Sequence, residues 1–507
     1  MQFLDTFHPA WPGAAALGAP LATALAAIAC RPSMGGARAG QLARAAAAFA
    51  LAAALLGLLA IALFGPASFR WLRFDLVGGL VLLLVAFIGW VIARFSRAYL
   101  EGEAHEARYA RWLLATLTGA TLVVVSNDLL LLAAAWWGTS LALQQLLLFY
   151  PGRPAAAMAA HKKLVLSRIA DLCMLSACAL LYAQTGNLRI DTLTDLAGGG
   201  PLALPVQAAV LLVALTALLK CAQLPFHGWL IQVMEAPTPV SALLHAGVVN
   251  LGGFVLLRLS GLVDQVPAAQ LLLVAVGTTT AVAAALVMST RISVKVSLAW
   301  STCAQMGFML MQCGLGLWKL ALLHLLAHSL YKAHAFLGAG GIVRDTMVGK
   351  LARPAAQPGV AGRLLGAAGG LLIVAGAAWA WNISLAGQPA LWVMGAILAL
   401  ALNPFLAVSR SGSWLLAWAL AFGLAWLYFA LHQLAGHWVL STPTGGNALW
   451  LIPAIGFAAL FVLQTALHAR VLWTQRLYPW FYGGFFLDER VSRLLFRMSP
   501  PPTARKD

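Results

Sequence analysis

Long apolar runs separated by short polar segments fill almost the whole chain. A helix needs about 20 mainly apolar residues to cross a bilayer. Fifteen segments come close to this length or exceed it, and each predicts one transmembrane helix. They are residues 14–30, 43–64, 76–95, 111–126, 128–149, 164–186, 205–222, 239–261, 269–289, 293–314, 318–343, 362–382, 390–408, 413–433 and 447–469. The pattern therefore predicts an all-α polytopic membrane protein with about 14–15 transmembrane helices, embedded in a lipid bilayer.

Composition supports this class, because 62% of the 507 residues are hydrophobic and only 9% are charged. A soluble domain carries about 25% charged and about 45–50% apolar residues, so this chain cannot cover a water-facing surface. The same figures exclude a disordered or collagen-like protein. The six cysteines form no CxxC pair, which argues against structural zinc and against a disulfide framework.

The formal net charge is +17, and the basic residues lie singly between apolar runs. Nucleic-acid binders instead cluster Lys and Arg on one soluble face, so no nucleic-acid partner is expected. If the N-terminus lies outside, most of the 32 Lys and Arg residues fall on the cytoplasmic side. The sequence therefore predicts an outside N-terminus and a cytoplasmic C-terminus. Residues Met1–Asp5 include an acid and no basic residue, so no cleaved signal peptide is expected.

Several ionisable side chains lie inside the apolar runs. A charge at the bilayer centre costs about 2.5–3.5 kcal/mol on insertion scales, and such residues commonly mark an ion pathway. These residues are Asp128, Asp171, Lys220, His245, His324, His328 and Lys332. Asp171 requires a partner, and the sequence offers two: Arg168 three residues earlier, or Lys220 in the next apolar run.

Lys220 ends one apolar run and is followed by Pro225, and Pro237 interrupts the chain again. Prolines break helices. Broken helices at membrane depth are tolerated only where they line a cavity or are buried in protein. This pattern predicts that Lys220 belongs to an ion pathway. The alternative is a lysine that snorkels to the membrane surface. Glu235 lies in the second break, where it is either a carboxylate near the pathway or a loop charge.

His324, His328 and Lys332 follow one another at intervals of four residues, so they share one helix face. An HxxxH pair can bind zinc, but the HEXXH motif requires a glutamate where this chain has Leu325. Because histidine titrates near neutral pH, the three residues are better interpreted as a proton relay. The remaining interpretation is a set of isolated histidines bonded to the backbone.

The stretch from Lys220 to His245 resembles the signature of the antiporter-like, proton-conducting subunits of respiratory complex I and of Mrp-type cation/proton antiporters. Further agreement covers Ser167–Asp171, Lys295–Gly307 and His324–Phe336, in the same order along the chain. The resemblance implies a helical bundle with two inverted five-helix repeats, each with a discontinuous helix. It places N-terminal helices at 1–110, the repeats at 111–261 and 262–408, and C-terminal helices with a cytoplasmic tail at 409–507.

By the same resemblance, Lys220 is the central lysine of the first repeat and Asp171 its neighbouring carboxylate. His245 is then a relay group, and His324, His328 and Lys332 lead into the second repeat. One departure concerns a Trp-Glu-Gly motif of the family, where Trp137 replaces the glutamate. In addition, the predicted twelfth helix carries no lysine, and Asn382 is the nearest polar residue.

Residues Val248–Phe254, the compact length and the closing segment Tyr482–Glu489 resemble the membrane subunits of bacterial inorganic-carbon pumps. That branch implies a transporter subunit of the cell inner membrane rather than an enzyme. It further implies that flow of a cation, expected to be a proton, drives CO2 hydration and bicarbonate accumulation. The reaction would occur in a large soluble partner on the cytoplasmic face, which resembles a zinc carbonic anhydrase. Zinc is thus expected in the partner and no cofactor in this chain.

Three alternatives remain from the sequence. The first is an Mrp-type antiporter or a complex I-like proton-pumping subunit. The second is a redox enzyme that binds quinone, haem or a nucleotide; the chain has no CxxCH, GxGxxG or P-loop motif in a strand–helix unit to support it. The third is a purely structural scaffold, for which the buried charges would be an unexplained energetic cost.

Overall fold

The computed structural model describes residues 10–150, 152–341, 358–383, 388–407, 414–436 and 448–500. The described chain is almost entirely helical, and each of the fifteen predicted segments overlaps a helix. Predicted segment ends at residues 343, 408, 413 and 447 lie outside the described residues, as do Met1–Asp5. The prediction of an all-α fold is confirmed, with one small exception at a two-residue hairpin. Its strands are β1 (Ala67–Ser68) and β2 (Arg73–Phe74).

The first half of the chain contains helices α1 to α12. Their bounds are α1 Ala10–Ala29, α2 Gly36–Phe64, α3 Leu76–Tyr99, α4 Glu106–Val125, α5 Leu129–Leu147, α6 Pro154–Thr185, α7 Ile190–Asp195, α8 Leu204–Lys220, α9 Gly228–Gln232, α10 Thr238–Ala246, α11 Leu251–Arg258 and α12 Ser260–Asp264. The second half contains α13 to α21. Their bounds are α13 Pro267–Met288, α14 Val294–Gly314, α15 Trp318–Leu337, α16 Val360–Ala380, α17 Pro389–Ala407, α18 Trp414–Ala435, α19 Leu451–His468, α20 Leu472–Tyr482 and α21 Leu487–Met498.

Within these described ranges, ten spans are long and apolar enough to cross a membrane. One of them, Thr238–Arg258, joins α10 and α11 across a short 3-10 turn at Val248–Asn250. Two shorter apolar stretches, Ala15–Ala29 and Leu204–Lys220, add to this set. The chain is therefore a multi-pass membrane protein. The division into repeats at residues 110, 261 and 408 stays a prediction.

Helix interruptions occur where the prolines predict them. Helix α8 ends at Lys220, and the chain runs through an irregular segment before the five-residue helix α9 begins at Gly228. Pro237 then precedes α10. Most residues of the first interruption are buried, although Pro225 is exposed, and Glu235 in the second is exposed as well. After the second interruption, α10 packs against α15 and α11 packs against α8. Irregular backbone within a membrane bundle is tolerated where protein surrounds it.

Small residues allow the closest helix contacts. Gly277 on α13 and Gly307 on α14 face each other, and a Cβ added at Gly277 would lie 2.6 Å from the Gly307 carbonyl oxygen. Such small-residue contacts let backbones approach in membrane bundles, where dispersion rather than the hydrophobic effect drives helix association. Helices α13 and α14 therefore form a tightly packed pair beside α15.

A buried ion pair joins α11 to the start of α3. The Arg258 Nη1 atom lies 2.5 Å from Asp75 Oδ2, and Nη2 donates to the Val124 carbonyl oxygen at 3.0 Å. Asp75 also caps α3 by accepting from the Gly78 amide at 2.7 Å. Burial acts to raise the pKa of Asp75, but the guanidinium groups of Arg258 and Arg73 outweigh it and hold that pKa below its usual range. Arg258 is therefore a buried structural residue with a carboxylate partner.

Candidate functional site, a buried series of ionisable side chains

Asp171 lies between two basic side chains in the first half of the bundle. Lys220 Nζ is 2.7 Å from Asp171 Oδ1, and Arg168 Nη2 is 3.0 Å from Oδ2. Both partners that the sequence offered are therefore used. The Lys220 side chain is 8% exposed and that of Asp171 is 15% exposed, so the pair lies inside the protein. A paired, buried lysine at the end of α8 does not fit the snorkelling alternative.

Two tryptophans of α5 cover this ion pair. Lys220 Nζ lies 5.1 Å from the Trp136 ring centroid, and the Arg168 guanidinium lies 5.3 Å from that of Trp137. Trp137 is the residue that replaces the family glutamate. The aromatic face thus provides a cation–π contact where the family would place a carboxylate. As a result, the carboxylate that pairs with Lys220 is that of Asp171.

Lys163 on α6 is a further buried lysine, and it does not belong to the residues that the sequence predicts for the site. Its Nζ donates to the Ser140 carbonyl oxygen at 2.5 Å and to Ser140 Oγ at 2.8 Å. Lys163 lies one residue before the predicted segment 164–186, a position that favours a surface charge, but Ser140 of α5 binds its ammonium inside the bundle. No local sequence signal marks this burial.

His245 occupies the centre of the bundle on α10. Its ring is fully buried and stacks on Phe336, with centroids 4.4 Å apart and planes 17° from parallel. Neither ring nitrogen has a hydrogen-bond partner within the described part of the chain. The His245 backbone carbonyl oxygen lies 3.3 Å from Nε2 of His328. The two histidines are thereby brought together from α10 and α15, 83 residues apart in sequence.

The three α15 residues lie along one side of that helix, as their spacing predicts. The rings of His324 and His328 have centroids 5.8 Å apart. Lys332 is 0% exposed, and its Nζ donates to the Leu298 carbonyl oxygen of α14 at 3.0 Å. One neutral acceptor on a buried lysine leaves further donor capacity on the ammonium. This arrangement suits a group that exchanges protons with a neighbour.

His324 faces a cavity of about 470 Å³ between α14, α15, α17, α18 and α19. Polar residues of the lining include Gln305, Gln312 and Gln464. Nε2 of His324 and Oε1 of Gln312 have no hydrogen-bond partner among the described residues. A water molecule takes roughly 30 Å³ of liquid volume, and it requires polar partners to occupy a cavity. The cavity is large enough for water, and the unpartnered atoms of His324 and Gln312 offer polar contacts for it on a lining that is otherwise mainly apolar.

Glu235 and Asp128 lie apart from this buried series. Glu235 has a side chain that is 47% exposed and lies 3.6 Å from Arg153 Nη1. This geometry favours the loop-charge interpretation of Glu235. Asp128 caps α5 by accepting from the Leu130 and Leu131 amides at 2.9 and 3.0 Å. Its carboxylate therefore has a structural use at a helix start.

The described residues contain no cluster of three or more His, Cys, Asp or Glu side chains that could hold a metal ion. The His324 and His328 pair therefore has no third protein ligand of these types within the described ranges.

Comparison with known proteins assigns the class. The family described as NADH:quinone oxidoreductase/Mrp antiporter, TM, matches residues 126–357, which include all of the buried series from Asp171 to Lys332. The solved Mrp complex from Dietzia sp. DQ12-45-1b superimposes with a TM-score of 0.59 at 24% identity, over 97% of this chain and 57% of that one. The fold is thus that of the antiporter-like membrane subunits.

Two relatives narrow the assignment. The probable inorganic carbon transporter subunit DabB of Hydrogenovibrio crunogenus is 41% identical over 475 residues, or 89% of this chain and 90% of the relative. Subunit DabB2 of Halothiobacillus neapolitanus is 39% identical over 447 residues, or 85% and 81% of the two chains. The chain belongs to the DabB family of inorganic carbon transporter subunits. The resemblance inferred from the motifs is therefore confirmed.

Proposed function

We propose that this chain conducts protons within a two-component inorganic-carbon transporter, and that proton flow through it drives a soluble partner. The observation that carries the proposal is the buried series Asp171–Lys220, His245, His328, His324 and Lys332 inside the family fold. Ionisable groups are costly at this depth, and six of them in one bundle are consistent with a pathway. Lys220 lies 2.7 Å from Asp171, the rings of His324 and His328 have centroids 5.8 Å apart, and a cavity adjoins His324.

The relay would have two parts. Lys220 exchanges a proton with Asp171 across 2.7 Å in the first half. His245, His328 and His324 continue the series in the second half, where the His324 cavity supplies water. Lys332 adds a buried amine on the same face of α15. Lysine and histidine both suit this role, since their charge can be gained and lost in a buried site.

The partner is proposed to be a large soluble DabA-like subunit on the cytoplasmic face. Both relatives bear names that make them subunits of a transporter, which supports an assembly with at least one other chain. Zinc would belong to the partner, which would hydrate CO2 to bicarbonate, and no cofactor is proposed for this chain. We place the chain in the cell inner membrane, and the distribution of Lys and Arg supports an orientation with the N-terminus outside and the C-terminus in the cytoplasm.

The test uses Lys220→Ala in the full chain, expressed with its partner. We expect the variant to insert and to assemble but to lose bicarbonate accumulation, because Asp171 then lacks its proton-exchange partner. Lys319→Ala, a lysine outside the buried series, is the matched control and should retain accumulation. Retained accumulation in Lys220→Ala would contradict the relay.

An Mrp-type or complex I-like subunit is the second candidate, favoured by the family match over residues 126–357. That function requires several other membrane subunits in one complex. Purification of the chain from native membranes distinguishes these two candidate functions. A single large soluble zinc protein supports the carbon transporter, whereas several co-purifying membrane subunits support the antiporter-like assembly.

A further inference from the structure

The C-terminal tail folds back onto the helix interruption that follows Lys220. Asp488, in the first turn of α21, accepts from Lys162 Nζ at 3.0 and 3.2 Å and from Gln232 Nε2 at 2.8 Å. Lys162 belongs to α6 and Gln232 to α9. The Lys162 side chain is 5% exposed, so this is a buried contact rather than a surface ion pair. One carboxylate of the tail therefore joins two helices of the first half.

The backbone at Gly228 is shaped to receive this carboxylate. A Cβ added at Gly228 would overlap the Asp488 carboxyl group. The tail thus packs directly against the first residue of α9, eight positions after Lys220. Any side chain at residue 228 would displace Asp488 from Lys162 and Gln232.

The segment just before Asp488 reaches the second half of the bundle. Gly484 packs on Trp300 of α14, and a Cβ added there would lie 3.2 Å from that ring. The Arg291 guanidinium lies 5.5 Å from the Trp300 ring centroid and 5.3 Å from that of Tyr482. We call Tyr482–Asp488 the tail clasp, because it holds α6 and α9 at one end and α14 at the other.

Both ends of the tail clasp adjoin the buried series. At α14, Trp300 lies two residues after Leu298, whose carbonyl oxygen accepts from Lys332. The Trp300 ring also lies 4.8 Å from the ring of His227 in the interruption after α8. At α6, Lys162 precedes Lys163, which donates to Ser140 of α5, the helix whose Trp136 ring contacts Lys220. The clasp is therefore positioned to fix the geometry around Lys220 and Lys332 together.

We propose that Asp488 is a positioning residue for proton transfer: through Lys162, Gln232 and the Gly228 backbone, it holds the interrupted helix that carries Lys220. This inference rests on the proposed function and adds a residue to it. Asp488 does not touch the Lys220–Asp171 pair. It acts by removing the freedom of α9 and by neutralising Lys162, which would otherwise be a buried cation without a carboxylate partner.

The experiment uses the full chain with its partner subunit and compares Asp488→Asn, Lys162→Met, the double variant and Asp488→Glu. The matched control is Glu489→Gln, which alters an exposed carboxylate one residue away. Bicarbonate accumulation is measured at equal membrane abundance. Hydrogen exchange of the amides of residues 226–236 is measured on the same complexes.

We expect Asp488→Asn and Lys162→Met each to lower accumulation about tenfold, within the range for residues that act on a site through others. The double variant should be no worse than either single one, because both remove the same contact. Asp488→Glu should recover most activity, and Glu489→Gln should match the unmodified chain. Exchange at 226–236 should rise in Asp488→Asn and return towards normal in Asp488→Glu.

Unchanged hydrogen exchange of residues 226–236 in Asp488→Asn would overturn the role of the tail clasp. A double variant whose loss of accumulation equals the sum of the two single losses would also overturn it. An equal loss in Glu489→Gln would also overturn it. Lys220→Ala distinguishes a failure of the proton relay from a failure of the tail clasp. It should abolish accumulation while leaving hydrogen exchange of residues 226–236 unchanged. Retained accumulation in Lys220→Ala would count against the relay alone, because the exchange measurement tests the clasp directly.

Discussion

Asp171→Asn removes the charge of the carboxylate while keeping its shape. In the unmodified chain the carboxylate faces Lys220 at 2.7 Å and Arg168 at 3.0 Å. The substitution leaves the Lys220 ammonium buried without a counter-charge. Arg168 is less affected, because its side chain is about one-third exposed and its guanidinium also contacts the Trp137 ring. The perturbation therefore falls mainly on Lys220.

Removing one partner of a buried ion pair costs about 3–5 kcal/mol, because the other charge stays desolvated. Lys220 retains slight exposure and its contact with the Trp136 ring, so we expect a loss near the low end, about 3 kcal/mol. Removing both partners is often close to neutral. Asp171→Asn combined with Lys220→Met should therefore recover most of that stability.

The assay measures unfolding of the purified chain in detergent for both single variants and for the double variant, beside bicarbonate accumulation in cells. Stability should fall in Asp171→Asn and return in the double variant, while accumulation should be lost in all three. Wild-type stability in Asp171→Asn would refute the buried-pair reasoning. Restored accumulation in the double variant would refute the role of the pair in proton transfer.

Three further predictions concern other parts of the molecule. Ala304→Phe places a ring in the cavity beside His324 and should lower accumulation with little change in membrane abundance, whereas normal accumulation would show that the cavity water is not used. Gly277→Val should destabilise the fold by about 2 kcal/mol or more through overpacking against Gly307, measured as a lower unfolding temperature; an unchanged temperature would contradict the close contact. Burial raises the pKa of Asp264 to about 6, against the lowering effect of the Trp318 indole N–H that donates to it. Because the pKa of Asp264 is higher in the folded protein than in the unfolded chain, protonated Asp264 stabilises the fold below about pH 4. This stabilisation is lost as the pH rises through 6. Asp264→Asn should therefore gain about 3 kcal/mol relative to the unmodified chain well above pH 6 and nothing near pH 4; a difference that does not depend on pH would contradict the assignment.

The sequence predicts the helices well because apolar run length is a direct physical requirement of the bilayer. Pro225 and Pro237 likewise predict the interruptions, since proline cannot continue the helical hydrogen bonds. The common face of His324, His328 and Lys332 follows from helical spacing alone. These features depend on local sequence patterns, so one amino-acid sequence is enough to predict them.

Contacts between distant segments could not be predicted in the same way. Lys162 and Asp488 are 326 residues apart, and neither position has a local signal for the pairing. Lys163 and Arg258 lie close to the ends of predicted segments, where surface charges are common, yet neighbouring helices bury both. The distribution of Lys and Arg among the loops predicts the orientation of the chain in the membrane. Whether a given side chain is buried depends on which helix packs over it.

Gradient-driven bicarbonate formation reports directly on proton coupling through this chain. The chain and its partner are reconstituted in vesicles, a proton gradient is imposed, and bicarbonate formation is followed beside internal pH. We expect formation that depends on the gradient, stops when a protonophore is added and is absent in Lys220→Ala. Bicarbonate formation at the same rate without a gradient, or at an unchanged rate in Lys220→Ala, would rule out proton coupling through Lys220.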